Sequence, residues 1–444
     1  MTTSRMSPIA IVGRSCVLPG ALSPQALWDR VASGTDVISS VDEGRWRMDP
    51  RDVMCPPDRP GIDRTWTDRG GYVRGFESVW DPDGFGVTAD ELGGLDPMVH
   101  WVLHCAREAL ADAGDRRRGA VPRPRVGAMF GNLGFPTAMM SRLAEAQWFD
   151  TAAPHPDPRN RFMSSGAAMM LERALGLAPG VFCLDTACAS SLYAIAVACQ
   201  QLNEGRIDLA LAGAVNGADD LFLHVGFAAL GALSKTGRSR PFHAEADGLL
   251  PAEGAGFVAL RRLCDARRDG DHIYGVIRGI GLSNDGRGRG LLAPSEAGQV
   301  RALRQTYASA GLDPAQVSLL ECHATGTLVG DTTELRSSAT VFAEASDLPI
   351  GSLKSNIGHA ITAAGVAGLI KVLEALRHQQ RPPSLHTDTP AAALSDTPFR
   401  VLRALEPWTT RDSATPPLAG VSAFGFGGNN AHLVVGNDDD SIED

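Results

Sequence analysis

VFCLDTACASSLYAIAVACQQLNEG, residues 181–205, carries the reading of the fold. A short apolar run, Val181–Leu184, leads through Asp185, Thr186 and Ala187 into a stretch where small and apolar residues recur at three- and four-residue spacing until Gly205. That pattern is a strand, a tight elbow and a buried helix. Cys188 stands at the elbow. A thiol at a helix start faces the positive end of the helix dipole, which favours thiolate and lowers its pKa. The unpaired N–H groups of the first turn can also hold an oxyanion. A cysteine taken at random is core filler; Asp185-Thr186 and Ser190-Ser191 on either side make this elbow specific for a nucleophile.

Working outward, glycine-bounded β-type runs recur at 9–13 (IAIVG), 125–132 (RVGAMFGN), 181–185 and 208–217 (DLALAGAVNG). A second series lies at 275–283 (GVIRGIGLS), 317–325 (VSLLECHAT), 349–355 (PIGSLKS) and 418–428 (LAGVSAFGFGG), and AHLVVG forms a last strand. Helix-like stretches such as EAGQVRALRQTYASAG and TAAGVAGLIKVLEALRHQ lie between them. Alternating strand and helix predicts an α/β fold with largely buried sheets. The series divide at RRLCDARRDGDH, which suggests a duplication: an N-terminal half over 1–265 with an insertion at about 40–95, and a C-terminal half over 266–436. The acidic tail, 437–444, is expected to be disordered.

Composition narrows the function. The 444 residues carry a formal charge of −10, with 44% hydrophobic and 21% charged residues, so a general attraction to nucleic acid or anionic membrane is not indicated. The eight cysteines show no C-x-x-C pair and sit in apolar segments, which fits reduced thiols and a cytoplasmic location. No run approaches 18 uninterrupted apolar residues, and the N-terminus lacks a signal-peptide pattern.

Two histidines join the cysteine. His323 follows VSLLEC and precedes ATGT, and His359 ends KSNIGH, each at the carboxyl end of a β-type run, where α/β folds place their sites. Lys354, five residues before His359, is placed to bias the ionisation of that pocket. AFGFGGNNAH, with Phe424 and Phe426 between glycines, reads as a mobile loop that shows aromatic rings to a tunnel and offers backbone donors, or as a tight connection. His100 and His104 share a helix face without a third ligand, and SNDGRGRG (283–290) lacks the ending of a phosphate-binding loop. Arginines at 116–118, 261–262 and 267–268 are solvated faces or contacts for an acidic partner.

Together DTACASS, HATGT, KSNIGH and GFGGNN, with PAEGAGFVALRRL at 251–263, resemble the β-ketoacyl synthase family, in the style of a domain of a type I polyketide or polyunsaturated-fatty-acid synthase. The resemblance runs from about residue 9 to 436. It implies a thiolase-like fold: two similar βαβαβ halves in five αβαβα layers, as a homodimer. It further implies that Cys188 takes an acyl group from a thioester, with its own N–H and that of Phe426 as oxyanion hole, and that His323 and His359 support decarboxylative Claisen condensation with a malonyl thioester. Thr325 and Thr327 would hold the pantetheine arm, with Phe424 and Phe426 at the substrate. Lys354 would be auxiliary. No metal and no free cofactor is implied: substrates arrive on the phosphopantetheine of an acyl carrier protein, and other domains of a multidomain synthase supply the malonyl group. The alternative is a non-elongating or chain-length-type partner protein of the same family. Ala324, the GDTTE segment at 330–334, Asn429 and Ala252 depart from the common motifs and bear on pocket shape.

Overall fold

Ten of the strands fall into two sets with the same pairing. In the first half these are β1 (Ile9–Val17), β2 (Val126–Asn132), β3 (Phe182–Leu184), β4 (Leu209–Asn216) and β5 (Gly254–Arg262). In the second they are β6 (Gly275–Asn284), β7 (Leu319–Glu321), β8 (Leu348–Gly351), β10 (Leu418–Gly425) and β11 (Asn429–Gly436), with β9 (Phe399–Val401) added outside β8. The order is β9-β8-β7-β10-β11-β6-β1-β5-β4-β2-β3. Within each half the third, second and fourth strands run parallel, and the fifth is antiparallel to both the fourth and the first. The two halves of the sheet join through Ile9–Ile11 against Gly275–Ile277. This computed structural model describes residues 6–439 apart from 117–118, 120–122, 124, 150–155, 163, 179, 288–289, 291 and 411–415.

Side-chain alternation assigns the layers. On β4, Ala210, Ala212 and Ala214 face one cluster and Leu211 and Val215 another; on β11, Leu433 and Val435 part in the same way from Val434. The first cluster takes α3 (Ser190–Asn203) and α7 (Ala364–His378) together with strands of both halves, so these helices form the middle layer. Outside the first half lie α1 (Pro97–Asp112) and α2 (Gly166–Leu175), and outside the second α5 (Glu296–Ala310) and α6 (Leu328–Val341), while α4 (Asp220–Ala229) puts Leu223 and Phe227 into the smaller cluster that contains Cys188. The result is the expected αβαβα arrangement. A helix apolar on every side belongs in an interior, and every residue of α7 from Ala364 to Leu376 is buried.

The structure corrects some local expectations and adds detail to others. Gly254–Arg262, read only as a motif, is a full strand, and each half has five strands rather than about four. AFGFGGNN is a tight hairpin pairing Gly425 with Asn429, with Gly427 and Gly428 at φ of +82° and +74°. The start of the tail is placed: Arg267 holds Asp438 at 2.7 Å, while 440–444 lie outside the described residues. His100 stacks on Trp80 and His104 packs edge-on to Phe76, so both serve an aromatic cluster. No helix among the described residues is long and apolar enough to cross a membrane.

Candidate active site

Each reactive side chain stands just past a strand: Cys188 after β3, His323 after β7, and His359 after β8 and the helical turn Lys354–Ile357. The elbow bearing Cys188 is strained. Ala187 holds φ at +52°, a left-handed conformation costly without glycine. Local bonds hold it there: Ala187 N–H donates to Asp185 Oδ1 at 2.8 Å, Thr186 N–H to Ser190 Oγ at 2.9 Å, and the Ser190 hydroxyl to the Ala187 carbonyl at 2.6 Å. Gly425 packs backbone to backbone on this elbow; a β-carbon there would lie 2.6 Å from the Thr186 carbonyl oxygen. The close approach lets the N–H groups of Phe426 and of Cys188 itself both donate to the Cys188 sulfur.

His359 is set by its backbone. Its N–H donates to the Leu250 carbonyl at 2.7 Å and its carbonyl accepts from Ala252 N–H at 2.9 Å, bringing Nε2 to 3.0 Å from Cys188 Sγ. The His323 ring stands edge-on to that of His359, 5.3 Å between centroids, and 5.9 Å from Phe424. Glu334 fixes the His323 turn by accepting the N–H groups of His323 and Ala324, both at 2.7 Å. Asp331 likewise accepts from Phe242, Thr325 and Gly326 at 2.9, 3.0 and 3.2 Å. Glu321 pairs with Lys371 of α7 at 2.6 Å and accepts Leu353 N–H at 2.7 Å, anchoring the turn that begins at Lys354.

Burial governs ionisation here. It pushes the Cys188 thiol up to about 12, against the pull of Lys354 and the two N–H groups, so the lowered thiol pKa expected from the helix start is overridden by desolvation. Burial, and then Lys354, hold both His323 and His359 well below the ordinary imidazole value, leaving them neutral near pH 7. Lys354 is itself lowered by burial, with Glu321 and Glu334 opposing. A neutral thiol beside a neutral imidazole is suited to proton transfer as attack occurs.

A cavity of about 520 Å³ opens on this group, lined by Cys188, His323, His359, Thr325, Thr327, Phe424 and Phe426 among others. The Thr325 and Thr327 hydroxyls are 3.1 Å apart. Lys354 is buried and does not line the cavity; it acts through charge. Ligand atoms of Cys188, His323 and His359 all lie within 4.8 Å of one another, so a soft divalent cation could bridge them. Sequence reasoning missed Glu321, Glu334, Asp331 and Lys371. The signal available was charge inside apolar runs, most plainly Lys371 in GLIKVLEAL.

Two surface segments gain detail. Arg261 pairs with Asp269 and Asp271, Arg262 with Asp208 and Asp265, and Arg268 with Asp265 and Asp269, so these positive charges are neutralised locally. Arg117 and Arg118 of the first cluster lie outside the described residues. The start of SNDGRGRG braces the hairpin: Asn284 Nδ2–H donates to the Gly427 carbonyl and to Asn429 Oδ1, both at 3.0 Å, and Asp285 accepts from Asn430 at 2.7 Å. Residues 288–289 of that loop lie outside the described residues.

Residues 6–266 match the beta-ketoacyl synthase N-terminal domain and residues 274–388 its C-terminal domain. The chain belongs to the β-ketoacyl synthase family. As a ketosynthase it is a condensing enzyme of the acyltransferase type. It is 39% identical over 440 residues to a phenolphthiocerol/phthiocerol polyketide synthase of Mycobacterium tuberculosis, covering 96% of this chain and 22% of that protein. It is 36% identical over 440 residues to the PKS-NRPS hybrid synthetase ATPKS of Aspergillus niger, covering 96% and 23%. The chain thus spans under a quarter of these two relatives. Among solved structures, the PfaC keto synthase-chain length factor matches with TM-score 0.92 at 35% identity, covering 99% of this ketosynthase and 49% of that chain. The ketosynthase from module 6 of the bacillaene synthase of Bacillus subtilis 168 matches with TM-score 0.84 at 32% identity, covering 97% and 72%.

Proposed function

We propose that this ketosynthase loads an acyl group on Cys188 and condenses it with a malonyl unit carried as a thioester on the phosphopantetheine of an acyl carrier protein, as one domain of a multidomain polyketide or fatty-acid synthase in the cytoplasm. The observation that carries the reading is His359 Nε2 at 3.0 Å from Cys188 Sγ, with the His323 ring beside it. His359 takes the thiol proton as the sulfur attacks the acyl thioester. The N–H groups of Cys188 and Phe426 hold the oxyanion, and the carrier thiol leaves with a proton. The malonyl thioester then loses carbon dioxide. Its electron pair passes to an enolate whose oxygen accepts hydrogen bonds from the neutral imidazoles of His323 and His359. The enolate carbon attacks the acyl carbonyl, expels the Cys188 thiolate and gives a β-ketoacyl thioester. Thr325 and Thr327 offer hydroxyls to the pantetheine amides, Phe424 and Phe426 border the substrate, and burial, aided by the charge of Lys354, keeps both imidazoles unprotonated. No metal or free cofactor takes part.

The alternative, a non-elongating or chain-length-type protein, is disfavoured because Cys188 and His323 are both in place. A homodimer through the outer edge of β3, the last strand of the sheet, fits the exposed apolar side chain of Phe182 on that edge (39% exposed). Mass spectrometry of the intact protein tests the chemistry. Cys188→Ala is expected to abolish acyl loading, and His323→Ala to permit loading but stop product formation from malonyl carrier. Acylation of Cys188→Ala at another cysteine would remove the assignment.

A further inference from the structure

Ile361 is held at φ of +45° two residues after His359. For a β-branched side chain this is a backbone conformation that only a surrounding framework can impose. The framework is visible on both sides. His359 is fixed to Leu250 and Ala252 by its N–H and carbonyl, and the Thr362 hydroxyl donates to the Val215 carbonyl at 2.6 Å. Val366 N–H, one turn further on, donates to Ser191 Oγ at 3.0 Å, tying the start of α7 to α3. Ile361 is the crest between two anchored neighbours.

Its side chain is 3% exposed and belongs to the apolar cluster that contains Cys188, Leu133, Leu223, Phe227 and Leu250. The cavity reaches this cluster at Cys188, Phe227 and Leu249, whereas Ile361, Leu133, Leu223 and Leu250 are buried and do not line it. Open space thus leads to the sulfur from one direction, and packed hydrocarbon lies beyond it. An acyl group bound to Cys188 points its carbonyl oxygen at the N–H groups of Cys188 and Phe426, and the packed cluster, which shares Cys188 with the cavity, offers its carbon chain an apolar lining beyond the sulfur.

We propose that Ile361 sets the size of the acyl group that Cys188 accepts: its branched side chain closes the site beyond the sulfur, so that short, unbranched acyl groups load readily and long ones load slowly. This rests on the reading of Cys188 as acyl acceptor. The strained backbone keeps the β-branched group aimed into the cluster, and the neighbouring His359 cannot move away without losing its own two backbone bonds. Ile361 is therefore a specificity residue that leaves the proton transfers to others.

The test compares rates of Cys188 acylation by acetyl and octanoyl N-acetylcysteamine thioesters, read by intact mass, in wild type, Ile361→Ala and Ile361→Val. The ratio of octanoyl to acetyl rate is expected to rise about tenfold or more in Ile361→Ala, as removal of a few buried methyl and methylene groups from a selective pocket does, and by a smaller factor in Ile361→Val. A constant ratio, with both rates falling together, would mean a packing role only and overturns the proposal. Should Ile361→Ala fail to fold, the Ile361→Val ratio decides in the same way. If the wild-type protein takes no acyl group from any thioester while iodoacetamide still alkylates Cys188, the acyl-acceptor reading fails and the proposal falls with it. Loading with an unchanged ratio overturns the proposal alone.

Discussion

Gly425→Ala tests the oxyanion hole without touching a reacting side chain. A β-carbon at Gly425 would stand 2.6 Å from the Thr186 carbonyl oxygen, 3.0 Å from Cys188 N and 3.2 Å from Ala189 N. All three neighbours are backbone atoms of an elbow pinned by Asp185 and Ser190, so the elbow cannot yield cheaply. The hairpin must instead retreat by roughly half an ångström, a typical overpacking cost of about 1–3 kcal/mol. The next residue is Phe426, whose N–H is one of the two donors aimed at the sulfur. Loss of one such donor costs about 10²–10³ in rate, about 3–4 kcal/mol of transition-state stabilisation. Acyl transfer passes through an oxyanion and alkylation by iodoacetamide does not, so comparing the two rates on Cys188 isolates the effect. Acylation should fall about a hundredfold or more while alkylation changes by less than about threefold. Acylation within about threefold of wild type would refute the assignment of the hole, and equal loss of both rates would place the damage in folding.

Three further outcomes follow from the same geometry. Lys371→Met leaves the Glu321 carboxylate buried without its cation, so chemical denaturation should show a loss of about 3–5 kcal/mol; both side chains are under 5% exposed, and a change below about 1 kcal/mol would exclude a tight pair. Burial raises the Asp331 carboxyl from 3.8 to about 6, so its contribution to stability is full below about 3.8 and is lost as pH rises through about 6. The stability of wild type relative to Asp331→Asn should therefore fall by up to about 3 kcal/mol from acid to neutral pH, and a rise or a flat difference would contradict the shift. Excess zinc should slow Cys188 alkylation and EDTA restore it, because the ligand atoms of Cys188, His323 and His359 lie within 4.8 Å of one another; His323→Ala should weaken that protection.

The site is legible in the sequence where chemistry is carried by short motifs. Cys188, His323 and His359 each close an apolar run, and strand ends are where an α/β fold presents reactive groups. What stays hidden depends on which backbone atoms meet across the chain. Gly254–Arg262 does not read as a strand because its two alanines and two glycines blur the β-type signal, although its pairing with both β1 and β4 makes it central. The thiol's ionisation is misjudged because a helix start can be read from spacing, whereas the burial that outweighs it is a property of the assembled layers. From its glycines AFGFGGNN reads as a mobile loop or as a tight connection; Asn284 and Asp285, more than a hundred residues earlier, make it a braced hairpin. Glu321 and Lys371, fifty residues apart, can be suspected singly but not paired.

The repeated topology explains why these groups meet. Cys188 follows β3, the third strand of the first half, and precedes α3; His359 follows β8, the third strand of the second half, and precedes α7. The two positions are equivalent under the duplication. Since α3 and α7 share the middle layer, with Ser191 of one helix accepting from Val366 of the other, their starting ends are held side by side. A single half offers one elbow and no partner for it. Doubling it around a common layer sets a second elbow 3.0 Å from the first at the Sγ and Nε2 atoms, so that one copy supplies the acceptor and the other the base. His323, after the neighbouring strand β7, then needs only the Glu334 clamp on its turn to bring a second imidazole to the same space. On this account, loosening the contact between the helices, as Ser191→Ala would, should harm the Cys188–His359 pair more than the His323 turn, because the pair spans both halves and the turn lies within one.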